Sequence, residues 1–325
     1  MRVLSGIQPS GKLHLGNYFG YVRPNIEWHK KAEMGFIMVA DLHALTTVRD
    51  PVQLKSSIDD MIIDLLACGF DVEKTVIFRQ SFVPEHTELM WMLSTLTPMG
   101  LLERAVSYKE KVEKGIAPAA GLFLYPVLQA ADIVLYDVQK VPVGKDQQQH
   151  LEITRDIIVK FNNAYGETFV VPEGVIQEEV AVVPGTDGQK MSKSYGNTIP
   201  LFGDEKIIKK AIMGIVTDSK GVEDPKDPET CTVFNLHKLF LSQEEAKKLA
   251  EKYKAGGLGY GDAKKMLLET YMDFFGPMRK KRQEMEERDR KEGSVGKIME
   301  EGAKKARGIA KKTMERVRKA VGLSA

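Results

Sequence analysis

The residues with the most obvious chemical potential lie at the start of the chain, in the stretch VLSGIQPSGKLHLGNY over residues 3–18. A short apolar run predicts a strand, the glycines and the proline predict a turn, and a helix is expected to begin near His14. A strand that ends in such a turn before a helix directs free backbone N–H groups at one point, which suits a phosphate. Gly16 would let a ligand approach the backbone closely, and His14 and Asn17 could add side-chain donors. An ordinary β–α turn is the alternative.

A second candidate stretch is GTDGQKMSKS, residues 185–194, where a glycine-containing loop precedes two lysines. Lys190 and Lys193 lie three residues apart and would bring positive charge to a bound anion. A loop rich in lysine and serine is, on its own, usually solvated surface. The pairing of this stretch with residues 3–18 is what favours a shared phosphate site.

A polar stripe marks the segment GLFLYPVLQAAD, residues 121–132. Pro126 fits the start of a helix, and Tyr125, Gln129 and Asp132 then share one helical face. Polar groups that face a core need partners, and a bound ligand is one such partner. An ionised carboxylate only accepts hydrogen bonds, so it suits an indole N–H or a phenol hydroxyl equally. A buried Asp132 that is hydrogen-bonded within the protein is the alternative.

Other candidate residues follow the predicted strands. His43 comes shortly after the apolar run 35–40, at the sheet edge where ligands collect in open α/β sheets. The stretch VPVGKDQQQH, residues 141–150, predicts a strand, a turn and a helix. In that turn Gly144 permits close backbone approach, Asp146 could accept from ribose hydroxyls, and Gln147 could contact an amino acid's α-amino or carboxylate group.

Composition restricts the class of protein. The 325 residues are 43% hydrophobic, so the chain can bury a large core, and the formal charge of +2 indicates no particular polyanionic partner. The two cysteines, Cys68 and Cys231, are far apart, which favours a reducing compartment. No apolar run is long enough to span a bilayer and no signal peptide is recognised. We therefore expect a cytoplasmic protein without a membrane partner.

Strand and helix patterns alternate through residues 1–200 and predict an α/β fold with a Rossmann-like parallel sheet. Residues 201–325 predict an all-helical C-terminal domain with helices near 204–213, 242–254, 262–291 and 295–320. The last helices carry many basic residues among glutamates, a pattern typical of a solvated face or of an RNA-binding surface.

Together these motifs resemble the tryptophanyl branch of the class I aminoacyl-tRNA synthetases over nearly the whole chain. His14-Leu15-Gly16-Asn17 is similar to that class's HIGH signature, with an asparagine at its last position that is typical of this branch, and residues 190–194 are similar to its KMSKS signature. The segments LYPVLQAADI (124–133), VPVGKDQQQHLEITRDI (141–157) and VTDS (216–219) extend the resemblance. It implies that ATP and L-tryptophan condense, with Mg²⁺, to an adenylate whose acyl group passes to tRNA(Trp).

The resemblance also implies roles for individual residues, and it implies no metal ligand among the side chains. Three lysines would act on the phosphates: Lys111, Lys190 and Lys193. The amino acid would contact His43, Tyr125, Gln129, Asp132 and Gln147. ATP would contact Gln8, Pro9, Ser10, His14, Gly16, Asn17, Gly144, Lys145, Asp146, Val182, Lys190, Met191, Ser192, Lys193 and Ser194.

The family is homodimeric through its middle region, and its C-terminal helices read the anticodon, so both properties are expected here. Some relatives hold an iron–sulfur cluster on four cysteines. Cys231 matches one of those positions, but the sequence offers no further cysteine nearby, so no cluster is expected.

Three other functions compete with this interpretation. A tyrosyl-tRNA synthetase would share the fold and the chemistry, although the HLGNY and PVGKDQ runs weigh against it. A small nucleotidylyltransferase would share the first turn but would not need the helical C-terminal third. A non-catalytic nucleotide- or RNA-binding paralogue would not need Lys190, Lys193 and Asp146.

Overall fold

The computed structural model describes residues 1–106, 108–109, 119–144, 147–176 and 183–324. Its centre is a parallel sheet of five strands in the order β3-β2-β1-β4-β5. The strands are β1 (Arg2–Ile7), β2 (Met34–Val39), β3 (Thr75–Arg79), β4 (Lys140–Val143) and β5 (Glu173–Ile176). Every pairing is parallel, with Ile7 beside Val39 and Val39 beside Arg79 at one end. The predicted α/β class and parallel sheet are confirmed.

Helices cover the sheet and form the C-terminal part of the chain. In chain order they are α1 (Leu15–Asn17), α2 (Arg23–Lys31), α3 (Asp41–Ala44), α4 (Pro51–Ala67), α5 (Glu85–Ser94), α6 (Met99–Glu103), α7 (Ala120–Val134), α8 (Gln148–Tyr165), α9 (Glu205–Met213), α10 (Thr232–His237), α11 (Gln243–Ala255), α12 (Tyr260–Glu292) and α13 (Ser294–Ala320). A π-helical turn, Tyr18–Val22, joins α1 to α2. The four predicted C-terminal helices are present, and α10 is an addition that the sequence pattern did not reveal.

Local signals explain where several helices begin. The Asp50 side chain accepts from the backbone N–H groups of Val52 and Gln53, and Pro51 occupies the first helical position of α4. Ser242 and Glu245 form a reciprocal capping box at α11. Short-range hydrogen bonds of the capping residues therefore set where α4 and α11 begin.

The predicted start of α7 at Pro126 is wrong. The helix begins at Ala120, and Pro126 lies inside it, directly after Tyr125. Proline is unfavourable there because it has no N–H for the preceding turn. Leu122 and Val127, on either side of Pro126, are nevertheless buried, and burial of this kind overrides the local preference.

The two longest helices return to the sheet. The backbone of α13 at Gly302 lies so close to β3 that an added Cβ would be 1.8 Å from the carbonyl oxygen of Ile77. Near the first helix, α12 places Phe274 and Phe275 against Tyr18 and Phe19. Apolar side chains from before and after residue 200 thus pack together. The division into domains 1–200 and 201–325 stays a prediction.

Several arginines of α12 and α13 pair with acids of the N-terminal half. Arg282 contacts Asp64 at 2.5 Å and Asp60 at 3.0 Å. Arg318 holds Glu88 through two hydrogen bonds of 2.8 and 2.6 Å. These contacts fasten the helices to the sheet domain, so the two arginines contribute to intramolecular packing. No helix within the described ranges is long and apolar enough to cross a membrane.

Candidate active site

The turn after β1 has the backbone conformation expected of a ligand-binding turn. The Ser10 N–H donates to the Gln8 carbonyl at 2.8 Å, and Gly11 adopts a φ of 94°, which an L side chain rarely permits. At the start of α1 the His14 N–H donates to Asn17 Oδ1 at 3.2 Å. Asn17 therefore braces the helix start rather than pointing away from it.

The structure brings the two lysine- and glycine-containing motifs together. Lys193 Nζ donates to the carbonyl oxygens of Ser10 and Gly11, at 3.0 Å each. The Gly16 N–H points at Met191 Sδ, 3.3 Å away, and Met191 is buried. The loop 185–194 therefore lies directly against the first turn, as their predicted shared site requires.

Asn197 anchors the lysine loop, and sequence reasoning missed it. Its Nδ2 donates to Asp187 Oδ1 at 2.7 Å and to the Lys190 carbonyl at 3.1 Å, and its Oδ1 accepts from the Ser192 N–H at 2.8 Å. The Ser192 and Ser194 hydroxyls are 2.8 Å apart on the exposed side of the loop. The backbone of the loop is thus held in place while the Lys190 side chain is exposed to solvent.

His14 is uncharged at neutral pH. Burial, and secondarily the charge of Lys193, lowers the pKa of His14 from 6.5 to about 4. Burial also lowers the pKa of Lys193 below its ordinary value. A neutral imidazole beside a lysine ammonium suits a site for a polyanion, because both groups gain favourable interactions when negative charge arrives.

A second group of side chains surrounds Asp132, which is 1% exposed. His43 Nε2 lies 2.8 Å from Oδ2, and His86 Nδ1 lies 2.6 Å from Oδ1. Gln80 Nε2 donates to both carboxylate oxygens, at 2.8 and 2.9 Å. Gln80 directly follows β3, and His43 lies in the short helix α3 after β2, so the carboxyl ends of these strands build the cluster together with α5 and α7.

The cluster keeps Asp132 ionised. Burial raises the pKa of a carboxyl group, but the His86 imidazole and the hydrogen bond from His43 outweigh it and lower the pKa of Asp132 to about 2. The hydrogen-bonded buried aspartate, which the sequence left open, is therefore present. Its contact with a substrate stays a prediction.

Tyr125 and Gln129 share the helix face of Asp132, as their spacing predicts. The Tyr125 hydroxyl lies 2.9 Å from His150 Nε2, and its ring centroid is 6.3 Å from that of His43. Both Tyr125 and Gln129 are partly exposed. Gln147 stands at the N-terminus of α8, and Gly144 at the end of β4. Because Tyr125 and Gln129 are partly exposed whereas Asp132 is buried, the Asp132 cluster faces solvent on the side of Tyr125, which we call its open side.

Four predicted site residues lie outside the described residues: Lys111, Lys145, Asp146 and Val182. Gln80 and His86 are site residues that sequence reasoning missed. Gln80 carried a usable signal, since it follows a buried strand just as His43 does.

This fold and these motifs define an aminoacyl-tRNA synthetase. Residues 1–276 match the family model of the class I tRNA synthetases (W and Y), and the chain belongs to this family.

Its relatives include many tryptophanyl enzymes. It is 53% identical to a tryptophan–tRNA ligase of Rhodopirellula baltica, over 99% of this chain and 100% of the relative. The identity to the ligase of Fusobacterium nucleatum is 49%, over 99% and 98%. A crystal structure of Campylobacter jejuni tryptophanyl-tRNA synthetase with ADP and tryptophan matches with a TM-score of 0.92 and 50% identity, over 99% and 100% of the two chains.

Proposed function

We propose that this protein is a tryptophan–tRNA ligase. It would activate L-tryptophan with ATP to tryptophanyl-adenylate and pyrophosphate, then transfer tryptophan to the 2′-hydroxyl of the terminal adenosine of tRNA(Trp). The observation that carries the proposal is the contact of Lys193 with the Ser10–Gly11 turn, in a chain about half identical to tryptophan–tRNA ligases from end to end.

Activation needs positioning and charge stabilisation more than proton transfer. The tryptophan carboxylate is already ionised at neutral pH, so it can attack the α-phosphorus without a general base. Negative charge then grows on the departing pyrophosphate. Lys193, Lys190 and, by resemblance, Lys111 would neutralise it. The backbone between Gln8 and Asn17 would hold the nucleotide, together with Gly144, Lys145, Asp146 and Val182.

Magnesium would enter as part of the nucleotide substrate. Within the described ranges no group of three acidic, histidine or cysteine side chains could hold a metal ion. Mg²⁺ commonly keeps its waters and binds through substrate phosphates rather than an all-protein cage. MgATP is therefore the proposed substrate, and the lysines share its charge.

The amino acid would lie on the open side of the Asp132 cluster. Its indole N–H would donate to Asp132, with His43, Tyr125 and Gln129 around the ring, and Gln147 would contact the α-amino or carboxylate group. A tyrosine hydroxyl could also donate to Asp132. The choice of tryptophan rests on the similarity to tryptophanyl enzymes, while the tyrosyl alternative keeps the same chemistry.

Further properties belong to the proposal. Residues 1–200 would be catalytic, and 201–325 would bind the anticodon region of the tRNA. A homodimer in the cytoplasm is also proposed. Trp91 and Met99, near one another in the chain on α5 and α6, have 73% and 63% of their surface exposed, which supports a subunit contact in the middle region.

Lys193→Ala tests the proposed chemistry. We expect single-turnover formation of tryptophanyl-adenylate to slow by about 100-fold or more, since a preorganised charge at the leaving group is lost. Tryptophan affinity, measured by calorimetry, should change less than about twofold. Lys248→Ala, on the exposed face of α11, is the matched control and should leave the rate unchanged. An unchanged rate in Lys193→Ala would contradict the assignment.

A further inference from the structure

The three side chains that contact Asp132 are not equivalent. Gln80 and His86 are both 0% exposed, whereas His43 is 7% exposed and lies beside Tyr125 on the open side. Gln80 and His86 therefore contact the carboxylate from the protein interior. His43 contacts Oδ2 from the direction in which a ligand would arrive.

Gln80 has a fixed amide orientation. The backbone N–H of Leu42 donates to Gln80 Oε1 at 3.2 Å, so the amide nitrogen must face Asp132. Its two donor contacts to the carboxylate oxygens then hold the carboxylate plane in one orientation. Rotation of Asp132 would break both contacts at once.

His86 is fixed in the same way from its far side. The Tyr136 hydroxyl lies 2.7 Å from His86 Nε2, and burial raises the pKa of Tyr136 well above its ordinary value. Tyr136 stays protonated and holds Nε2, while Nδ1 lies 2.6 Å from Asp132 Oδ1 in an ion-pair contact. The Phe78 ring lies nearly parallel to the imidazole, with 6.1 Å between the ring centroids.

We propose that Gln80 and His86 are positioning residues that hold Asp132 as an ionised acceptor for the substrate N–H, and that this N–H replaces the contact from His43. The inference rests on the proposed function, since it takes tryptophan as the ligand. Some groups fix the orientation of a binding residue without touching the ligand. They increase that residue's contribution to affinity, because less conformational freedom is lost when the ligand binds. Gln80 and His86 touch no substrate themselves.

The test compares tryptophan with an analogue whose indole nitrogen is replaced by sulfur, β-(3-benzothienyl)alanine. The wild-type protein should prefer tryptophan, because the analogue has no N–H to donate. In His86→Leu and in Gln80→Met, which remove the nitrogens that contact Asp132, tryptophan should bind about tenfold more weakly. The dissociation constant of the analogue and the KM for ATP should stay within about twofold.

His86→Asn is the conservative variant, since its amide nitrogen takes the place of Nδ1, and it should restore the preference for tryptophan. His29→Leu is the matched control: His29 is a buried histidine outside the site, and its loss should leave the preference intact. If His86→Leu does not fold, the same comparison of tryptophan with the analogue is made with Gln80→Met.

The outcomes separate the inference from the proposed function. A wild-type protein that binds no tryptophan overturns both. A wild-type protein that prefers tryptophan, with variants that keep the preference in full, overturns only the positioning roles. Equal weakening of tryptophan and analogue also overturns them, because it indicates a general distortion of the pocket.

Discussion

Two polar clusters are buried on the same sheet, and they differ in what they are built to do. The first surrounds Asp132 at the carboxyl ends of β2 and β3. The second lies between the sheet and α2, where Ser5, Asn25, His29 and Thr75 meet. Ser5 Oγ contacts Asn25 Oδ1 and lies 3.3 Å from His29 Nε2, and Thr75 Oγ1 lies 3.4 Å from His29 Nδ1.

The difference is one of charge and access. The cluster around His29 contains no carboxylate, and burial lowers the pKa of His29 from 6.5 to about 4, so it is neutral at physiological pH. The Asp132 cluster holds a formal negative charge beside the partly exposed Tyr125. Burial of polar groups alone therefore does not indicate a binding site. A buried charged group next to a partly exposed surface does indicate one.

Strand β3 connects the two clusters, and Gly302→Ala disturbs both. Thr75 begins this strand, Gln80 follows it, and Gly302 of α13 rests on Ile77 in its middle. An added Cβ cannot fit against the Ile77 carbonyl, so we expect the free energy of unfolding to fall by about 3 kcal/mol in urea titrations.

The control for this prediction is Gly308→Ala on the same helix, where no atom lies within 4 Å of the added Cβ. It should raise stability by up to about 1 kcal/mol through helix propensity. Equal effects of the two substitutions would show that α13 does not rest on β3 as described.

Asp132→Asn removes the charge while keeping the size of the side chain. Tryptophan should bind about 30-fold more weakly, because a hydrogen bond to a charged acceptor is lost and the new amide N–H groups face the N–H groups of Gln80. The KM for ATP should change less than about twofold, and pyrophosphate exchange at varied substrate concentrations measures both. Equal losses for the two substrates would contradict a role in amino-acid binding.

The His29 cluster should affect stability and not catalysis. The folded pKa of His29 lies below the unfolded value, so the unfolded chain binds more protons, and stability present above pH 6.5 is lost as the pH falls toward 4. Between about pH 7.5 and 5, we expect His29 to account for roughly 1 to 2 kcal/mol of lost stability.

His29→Leu should therefore be less sensitive to acid than the wild-type protein, although it is less stable at neutral pH. Urea unfolding at the two pH values measures the difference, and pyrophosphate exchange at neutral pH should be unchanged. An identical acid sensitivity in both proteins would contradict the assigned pKa of His29.

How much the sequence could predict depended on the range of the interactions. The helix caps at Asp50 and Ser242 depend only on neighbouring residues, and so does the shared face of Tyr125 and Asp132, which the structure confirms. The parallel sheet followed from alternating apolar segments. The start of α7 was missed because burial of its first turn outweighs the local effect of Pro126.

The partners of Asp132 lie beyond what spacing can reveal. Gln80 and His86 come from a different strand and helix, and only the folded sheet brings them to the carboxylate. The same holds for Asn197, which anchors the lysine loop, and for Gly302, whose close contact with β3 depends on a helix near the end of the chain. Such contacts are set by tertiary packing and need a structure to be seen.

Amino-acid-dependent exchange of pyrophosphate into ATP, run with each of the twenty amino acids, tests the central claim most directly. The account predicts exchange with tryptophan alone, since only its indole combines the ring size with an N–H donor for Asp132. Exchange with tyrosine instead would contradict the assigned substrate while keeping the chemistry. Absence of exchange with every amino acid would contradict the proposed function itself.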